Sequence, residues 1–299
     1  MGTWGAGLYS NDMALDLRST VRAVARLPLA GSELLQVLRA HWSCADDPLD
    51  EEQTTFWLVV ADQFYKRSIV CSEVTQRATD IIRSGSNLAT LRDLGFGSKE
   101  LEGRAKRLDE LAAQLADPPL SKNRKTLSKP QSLLLPAESV WAFPTMQQQC
   151  YNAYCADPAE FGFVPDGWSA LVVLSNGLAF DWLAWYAIAV VDVHSAARPT
   201  LGDVIAAKWR LNPRALNMPV VGGTGSLSSV RKKRLGLEEI GRVDLVRDKL
   251  PDYLLAGGTS AAVHDRCICN SMGEIVGMKR SAAPAGIGPA VRDWLASST

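Results

Sequence analysis

Histidine and cysteine, the side chains most often used for catalysis and metal binding, are sparse in this chain. Its 299 residues include three histidines, at positions 41, 194 and 264, and six cysteines. No histidine stands beside a nucleophile in a known catalytic signature. The cysteine spacings are too irregular for the paired ligands of a structural zinc site. We therefore predict a protein that is not an enzyme, with no catalytic residue, no cofactor, no metal site and reduced thiols.

A net charge is also missing, because 32 Lys and Arg balance 32 Asp and Glu. Nucleic-acid-binding domains normally carry a strong basic excess, so a nucleic-acid partner is not favoured. The charge is nevertheless uneven: residues 1–117 carry a net charge of about −4 and the remainder about +4. This asymmetry indicates two units with different surfaces.

No uninterrupted apolar run is long enough for a membrane. A spanning helix needs about 18 or more consecutive apolar residues. The most apolar stretch, residues 167–194, is broken by Ser175, Asn176, Gly177 and Asp181. We interpret it as buried strands. The start of the chain also lacks the apolar core of a signal peptide, so the sequence predicts a cytoplasmic protein with no membrane partner.

The hydrophobic spacing predicts an α+β protein. Apolar residues of the first domain, residues 1–117, recur every three or four positions, which indicates a helical bundle. Residues 56–64 carry an apolar band wide enough for a central helix. Residues 118–136, basic and proline-containing, are predicted to be a linker or strap, either disordered or lying across the acidic helical part.

Residues 137–299 have the pattern of a mostly antiparallel β-rich domain. Asn176-Gly177 stands between two apolar runs and predicts the type I′ turn of a hairpin. Residues 222–228 lack the Lys-Ser/Thr of a phosphate loop, so they predict a turn between strands. Residues 288–298 predict a terminal helix with proline in its first turn. His41, on an apolar helix face, is expected to be a core or boundary residue.

An acidic segment precedes the central helix. Five carboxylates lie close together in CADDPLDEEQ: Asp46, Asp47, Asp50, Glu51 and Glu52. The simpler interpretation is a solvated loop whose charges favour the N-terminus of the next helix. The sharper one is a plug for a basic cleft, since carboxylates on inhibitors also speed association. On that interpretation these five residues bind a partner protein, together with exposed aromatic residues of the β-rich part.

Two other functions remain open. Asp192 and His194 follow a buried strand and would form the acid–base pair of a hydrolase whose site is dispersed along the chain. The basic run Arg231–Arg234 would serve a regulatory module that binds nucleic acid, although such surfaces usually interleave aromatic residues with the charges. A solvated turn or helix end is the simpler explanation of the basic run.

The opening stretch MGTWGAGLYSNDMALD resembles the start of an uncharacterised bacterial family of unknown function. Members begin Met-Gly-(Ala/Thr)-Trp-Gly-x-Gly, followed by an Asn-Asp or Asp-Asp pair and Ala-x-Asp. The matching residues are Gly2, Trp4, Gly5, Gly7, Asn11, Asp12, Ala14 and Asp16. The resemblance continues weakly through FWLVVADQFYKRS. Family members often appear beside polymorphic-toxin genes, so the resemblance implies an immunity protein that binds a cognate toxin.

The opening motif is physically suited to anchoring an N-terminus. Trp4 can bury a large ring, and the flanking glycines let the backbone bend around it. Asn11 or Asp12 then caps the first helix, and Asp16, one turn on, can hydrogen-bond back to the glycine-rich backbone. The alternative is that Trp4, Asn11 and Asp12 line a pocket.

Overall fold

The computed structural model describes residues 5, 7–117, 124–155, 157–210, 222–250, 267–269, 272 and 289–296. The chain divides into two compact units, residues 1–129 and 130–299. The first is helical and the second is built on an antiparallel sheet, which confirms the predicted α+β class. Among the described residues, no helix is long and apolar enough to cross a membrane.

The helical unit is arranged around one buried helix. Its helices are α1 (Asp12–Val24), α2 (Gly31–His41), α3 (Gln53–Lys66), α4 (Ser72–Ser84), α5 (Ser86–Asp93) and α6 (Ser98–Ala116). Every side chain of α3 from Thr54 to Phe64 is buried, so the predicted central helix is confirmed. The prediction placed His41 in the core or at its boundary; it is instead exposed at the end of α2, where Nδ1 contacts the Val37 carbonyl at 3.0 Å.

The predicted strap is divided between the two units: residues 124–129 belong to the helical unit and residues 130–136 to the second unit. Arg124 Nη2 donates to the carbonyls of Leu27 and Leu29, at 3.1 and 2.5 Å. The Leu127 amide donates to the Arg26 carbonyl at 2.8 Å. These bonds hold the segment against the connection between α1 and α2. Residues 118–123 lie outside the described residues.

The second unit contains a six-stranded antiparallel sheet. Its strands are β1 (Ser139–Met146), β2 (Gln149–Cys150), β3 (Gly167–Ala179), β4 (Leu183–Ser195), β5 (Gly222–Gly225) and β6 (Glu238–Arg242). The order is β2-β1-β3-β4-β5, and β6 also pairs with β1. Two short helices, α7 (Leu201–Ala206) and α8 (Ser229–Arg234), accompany the sheet. Residues 222–225 are thus an edge strand, whereas a turn was predicted.

Both faces of this sheet are covered by apolar side chains. One face contributes alternate residues such as Trp141, Leu171, Val173, Ile188 and Val190. The other contributes the residues between them, Val140, Val172, Ala189 and Val191, which pack with Trp209 and Trp294. Strands buried on both faces lose the alternation of apolar and polar residues. This explains why residues 167–194 have so continuous an apolar sequence.

The β3–β4 hairpin turns at a different place from the one predicted. The chain reverses at Phe180 and Asp181, whose φ angles are 51° and 60°, and Ala179 pairs with Leu183. Asn176 and Gly177 lie inside β3. A Cβ on Gly177 would come within 3.0 Å of the Trp185 ring, so this glycine makes room for the indole across the strands.

Near the C-terminus, Val291–Trp294 form a short 3-10 helix within the residues predicted as a terminal helix. Cys267 makes an isolated bridge with Ser226, and residues 268–269 are helical. His264 lies outside the described residues.

Candidate functional site

Hydrogen bonds between its carboxylates and nearby backbone amides hold the acidic loop in shape. Asp47 Oδ1 accepts the Leu49 amide at 2.9 Å, and Asp50 Oδ1 accepts the Glu52 amide at 2.8 Å. Asp46 forms an ion pair with Arg39 at 2.6 Å. Three of the five predicted partner-binding carboxylates therefore also shape the loop.

The remaining carboxylates of the loop differ in environment. Glu51 is exposed and Glu52 is half-buried. Burial, together with the neighbouring charges of Asp50 and Glu51, raises the pKa of the Glu52 carboxyl. Leu49, between Asp47 and Asp50, is 93% exposed. The loop therefore presents an apolar side chain in full contact with water among carboxylates.

The opening motif and the α3 segment, the two stretches that carry the family resemblance, meet in space. The Tyr9 hydroxyl donates to Asp62 Oδ2, and Gln63 Nε2 donates to the Tyr9 oxygen. Lys66 Nζ lies 2.8 Å from the same Asp62 oxygen. Asp62 is 7% exposed, so its charge is stabilised by these three neighbours. Burial, and secondarily the bond to Asp62, raises the pKa of the Tyr9 hydroxyl.

The glycine-rich backbone of the motif is fixed from α6. Arg104, 4% exposed, donates from Nη1 to the Gly7 carbonyl at 2.9 Å and from Nε to Asn87 Oδ1 at 2.8 Å. Asn87 in turn donates to Thr54 Oγ1 at 2.8 Å. Burial lowers the pKa of the Arg104 guanidinium to about 10. A Cβ on Gly7 would lie 2.7 Å from Ser10 Oγ, so a larger residue here would displace that hydroxyl.

The other motif residues occupy different positions. Asn11 Oδ1 caps α1 by accepting the Ala14 amide at 2.6 Å. Asp12 and Asp16 lie on α1 with exposed side chains. Gly5 lies in a bend, and Trp4 lies outside the described residues.

Two open clefts flank the Tyr9–Asp62 pair. One, of about 430 Å³, is lined by Gly7, Leu8, Tyr9, Ser10, Asp62, Lys66, Arg107, Glu110, Leu111 and Gln114. The other, of about 460 Å³, is lined by Arg18, Arg22, Gln63, Lys66 and Arg67. Asn11 and Asp12, the predicted pocket residues, are in neither set.

Asp192 and His194, the acid–base pair of the hydrolase alternative, lie outside both of these clefts. Asp192 and His194 are both exposed on β4. The His194 ring packs so closely on Gly167 that an added Cβ there would come within 2.8 Å of it. Neither residue lines the two clefts above. In the part of the chain that the structure describes, this geometry lends the hydrolase alternative no support.

The basic run of α8 is used within its own unit. Lys232 Nζ donates to the Leu134 carbonyl at 2.9 Å and lies 4.1 Å from the Trp141 ring centre. The Arg231 guanidinium stacks over Tyr154 at 4.4 Å. Arg234 donates to the Ala153 carbonyl at 3.4 Å. Three of the four cations are therefore engaged by protein groups, which leaves little of this run for nucleic-acid phosphates.

Three thiols gather beside α8. Cys150 Sγ lies 3.9 Å from the Cys269 carbonyl oxygen, and a hydrogen bond from the Cys269 thiol lowers the pKa of the Cys267 thiol. Both Cys267 and Cys269 are buried, whereas a reactive thiolate needs access. Within the described ranges, no group of three or more His, Cys, Asp or Glu residues is arranged to hold a metal ion.

The bulky aromatic residues of the sheet unit are mainly internal. Trp141, Trp185 and Trp209 are buried, whereas Tyr154 and Phe161 are 46% and 60% exposed.

No protein-family model matches the chain, and no curated protein or solved structure matches it. The family resemblance of the opening motif therefore stays a prediction.

The residues that make up the Tyr9–Asp62 cluster were not predicted. Tyr9 stands inside the opening motif and Asp62 and Gln63 inside the apolar α3 segment. Two polar residues in the middle of a fully buried helix were the available signal, because buried charges need partners. The partner, however, is 53 residues away in sequence, and nothing local identifies it.

Proposed function

We propose that the protein is a bacterial immunity protein of the cytoplasm, which binds a cognate toxin and occludes its active site. It has no catalytic activity and needs no cofactor. The observation that carries the proposal is Leu49, 93% exposed within the acidic loop. An apolar anchor surrounded by a polar rim is the usual composition of a protein interface.

The construction of the loop supports the same role. The bonds that Asp47 and Asp50 accept from nearby amides hold the loop before any partner arrives. A preorganised loop loses less conformational entropy on binding. The carboxylates steer association with a basic surface, such as the substrate cleft of a nuclease toxin, and raise the association rate. The resemblance of the opening motif to a toxin-associated family agrees with this role.

The test combines partner capture with neutralisation. Tagged full-length protein is used to isolate partners from the source bacterium, and each partner is expressed alone to find one that arrests growth. We expect the wild-type chain to restore growth on co-expression. The variant L49A/E51K should not, because it removes the anchor and reverses an exposed charge of the loop.

The control variant is L94A/E102K, which makes the same chemical changes at exposed positions outside the acidic loop. It should restore growth as the wild type does. A growth-arresting partner that L49A/E51K still neutralises would move the interface elsewhere. Failure to find any toxic partner would overturn the immunity proposal itself.

A further inference from the structure

The cleft between α1 and α3, lined by Arg18, Arg22, Gln63, Lys66 and Arg67, is a concentration of positive charge that the immunity proposal does not use. Arg18 and Arg22 are four residues apart on α1 and therefore share a helix face. Lys66 is three residues beyond Gln63 on α3 and shares its face, and Arg67 caps the C-terminal end of the same helix. Of the described residues that line the cleft, four are cations and none is a carboxylate.

The cations are held in place by the cluster beneath the opening motif. The Arg18 guanidinium lies 5.0 Å from the Tyr9 ring centre. Arg67 Nη1 donates to Gln63 Oε1 at 2.6 Å and to the Gln63 carbonyl at 3.2 Å. These contacts fix side chains that would otherwise lose rotamer freedom on binding, which is how a preorganised site gains affinity.

Asp62 stands beside the cleft and is already engaged within the cluster. Its Oδ2 atom accepts from Tyr9 and Gln63 and pairs with Lys66 at 2.8 Å. Its charge is therefore directed towards the cluster beneath the opening motif.

We propose that this cleft is an oxyanion site that takes the phosphate group of a small phosphorylated molecule. Guanidinium groups present paired donors that match phosphate oxygens, and three of the four cations here are arginines. A volume of about 460 Å³ exceeds a single phosphate and admits a pyrophosphate or phosphoester. A long polyanion is disfavoured, because residues 1–117 carry a net charge of about −4 and would repel it beyond the cleft.

Calorimetric titration of the full chain with inorganic pyrophosphate at low salt tests the proposal. We expect saturable binding that weakens as salt rises. R18Q and R67Q should each reduce affinity by about tenfold or more, the scale of one lost charged hydrogen bond. R67K keeps the charge without the paired donors and should show a smaller loss. R83Q, at an exposed arginine on α4, should bind as the wild type does.

Other ligands define the outcomes that would overturn the proposal. Succinate tests whether any divalent anion suffices, and equal binding of succinate would remove the preference for phosphate. A single-stranded oligonucleotide that binds more tightly than pyrophosphate, and loses affinity in the same variants, would make the cleft a nucleic-acid site instead. Absence of pyrophosphate binding by correctly folded wild-type protein, checked by circular dichroism, would remove the site altogether.

Discussion

The Tyr9 hydroxyl donates a hydrogen bond to Oδ2 of Asp62 and so joins the opening motif to the central helix α3. The bond links two residues 53 positions apart, and Asp62 is almost fully buried. A buried carboxylate that loses a donor retains its desolvation cost. The stability of the helical unit therefore depends on a residue of the motif that its sequence pattern does not emphasise.

Replacement of Tyr9 by phenylalanine tests this dependence. We expect Y9F to lower the free energy of unfolding by about 1–3 kcal/mol, since the bond is to a charged group. Urea denaturation of the full chain measures the change. Y65F changes a tyrosine on α3, three residues beyond Asp62, and should cost less than about 0.5 kcal/mol. Equal effects of the two substitutions would show that the bond to Asp62 makes no measurable contribution to the free energy of unfolding.

Arg104 provides a second test at the other side of the motif. R104A removes the bonds to the Gly7 carbonyl and Asn87 Oδ1 and leaves both acceptors without this donor. We expect a loss of about 2–3 kcal/mol in unfolding free energy. R107A on the same helix breaks an exposed ion pair with Glu110 and should cost less than about 1 kcal/mol. A mild R104A phenotype would mean that relief of the buried charge offsets the lost bonds.

The sequence predicted the helical unit better than the details of the sheet. Hydrophobic spacing and capping chemistry are local properties of the sequence. They located α3 and limited the cap of α1 to Asn11 or Asp12, of which Asn11 makes the bond. The contacts of Tyr9 and Arg104 are long-range, so periodicity carries no record of them. The loop carboxylates were visible as a cluster, but the turn-forming bonds of Asp47 and Asp50 were not.

The turns of the sheet show most clearly where local sequence fails to predict the structure. Phe180-Asp181 and Gln147-Gln148 adopt positive φ angles without the glycine or asparagine that such turns favour. The Asn176-Gly177 pair, which has that chemistry, continues as strand because Asn176 Nδ2 donates to the Leu135 carbonyl at 2.7 Å and Gly177 accommodates Trp185. Tertiary packing has overridden local preference at these positions.

Substitution of Gly177 distinguishes a packing glycine from a turn glycine. G177A should cost about 1–3 kcal/mol, because the new methyl group overlaps the Trp185 ring. G202A, in helix α7, meets its nearest atom at 3.7 Å and should stabilise the protein by about 0.5–1 kcal/mol through helix propensity. Thermal unfolding measures both. A stabilising G177A would contradict the close contact with the indole.

Glu52 gives the acidic loop a pH dependence whose sign is fixed by its raised pKa. The folded state binds the Glu52 proton more tightly than the unfolded state does, so ionisation of this group at neutral pH opposes folding. Stability from this group is fully present below the unfolded pKa and is lost as the pH rises through the higher folded pKa. We therefore expect E52Q to be more stable than wild type at pH 7, by less than about 0.5 kcal/mol.

The advantage of E52Q should disappear at acid pH, below the unfolded pKa of glutamate at about 4.3, where the wild-type carboxyl is protonated in both states. Urea denaturation from pH 7 down to pH 4 measures the difference. E102Q, at an exposed position on α6, controls for the loss of one negative charge from the unit. If E52Q and E102Q followed the same curve, the cause would be net charge and not the burial of Glu52 beside Asp50 and Glu51.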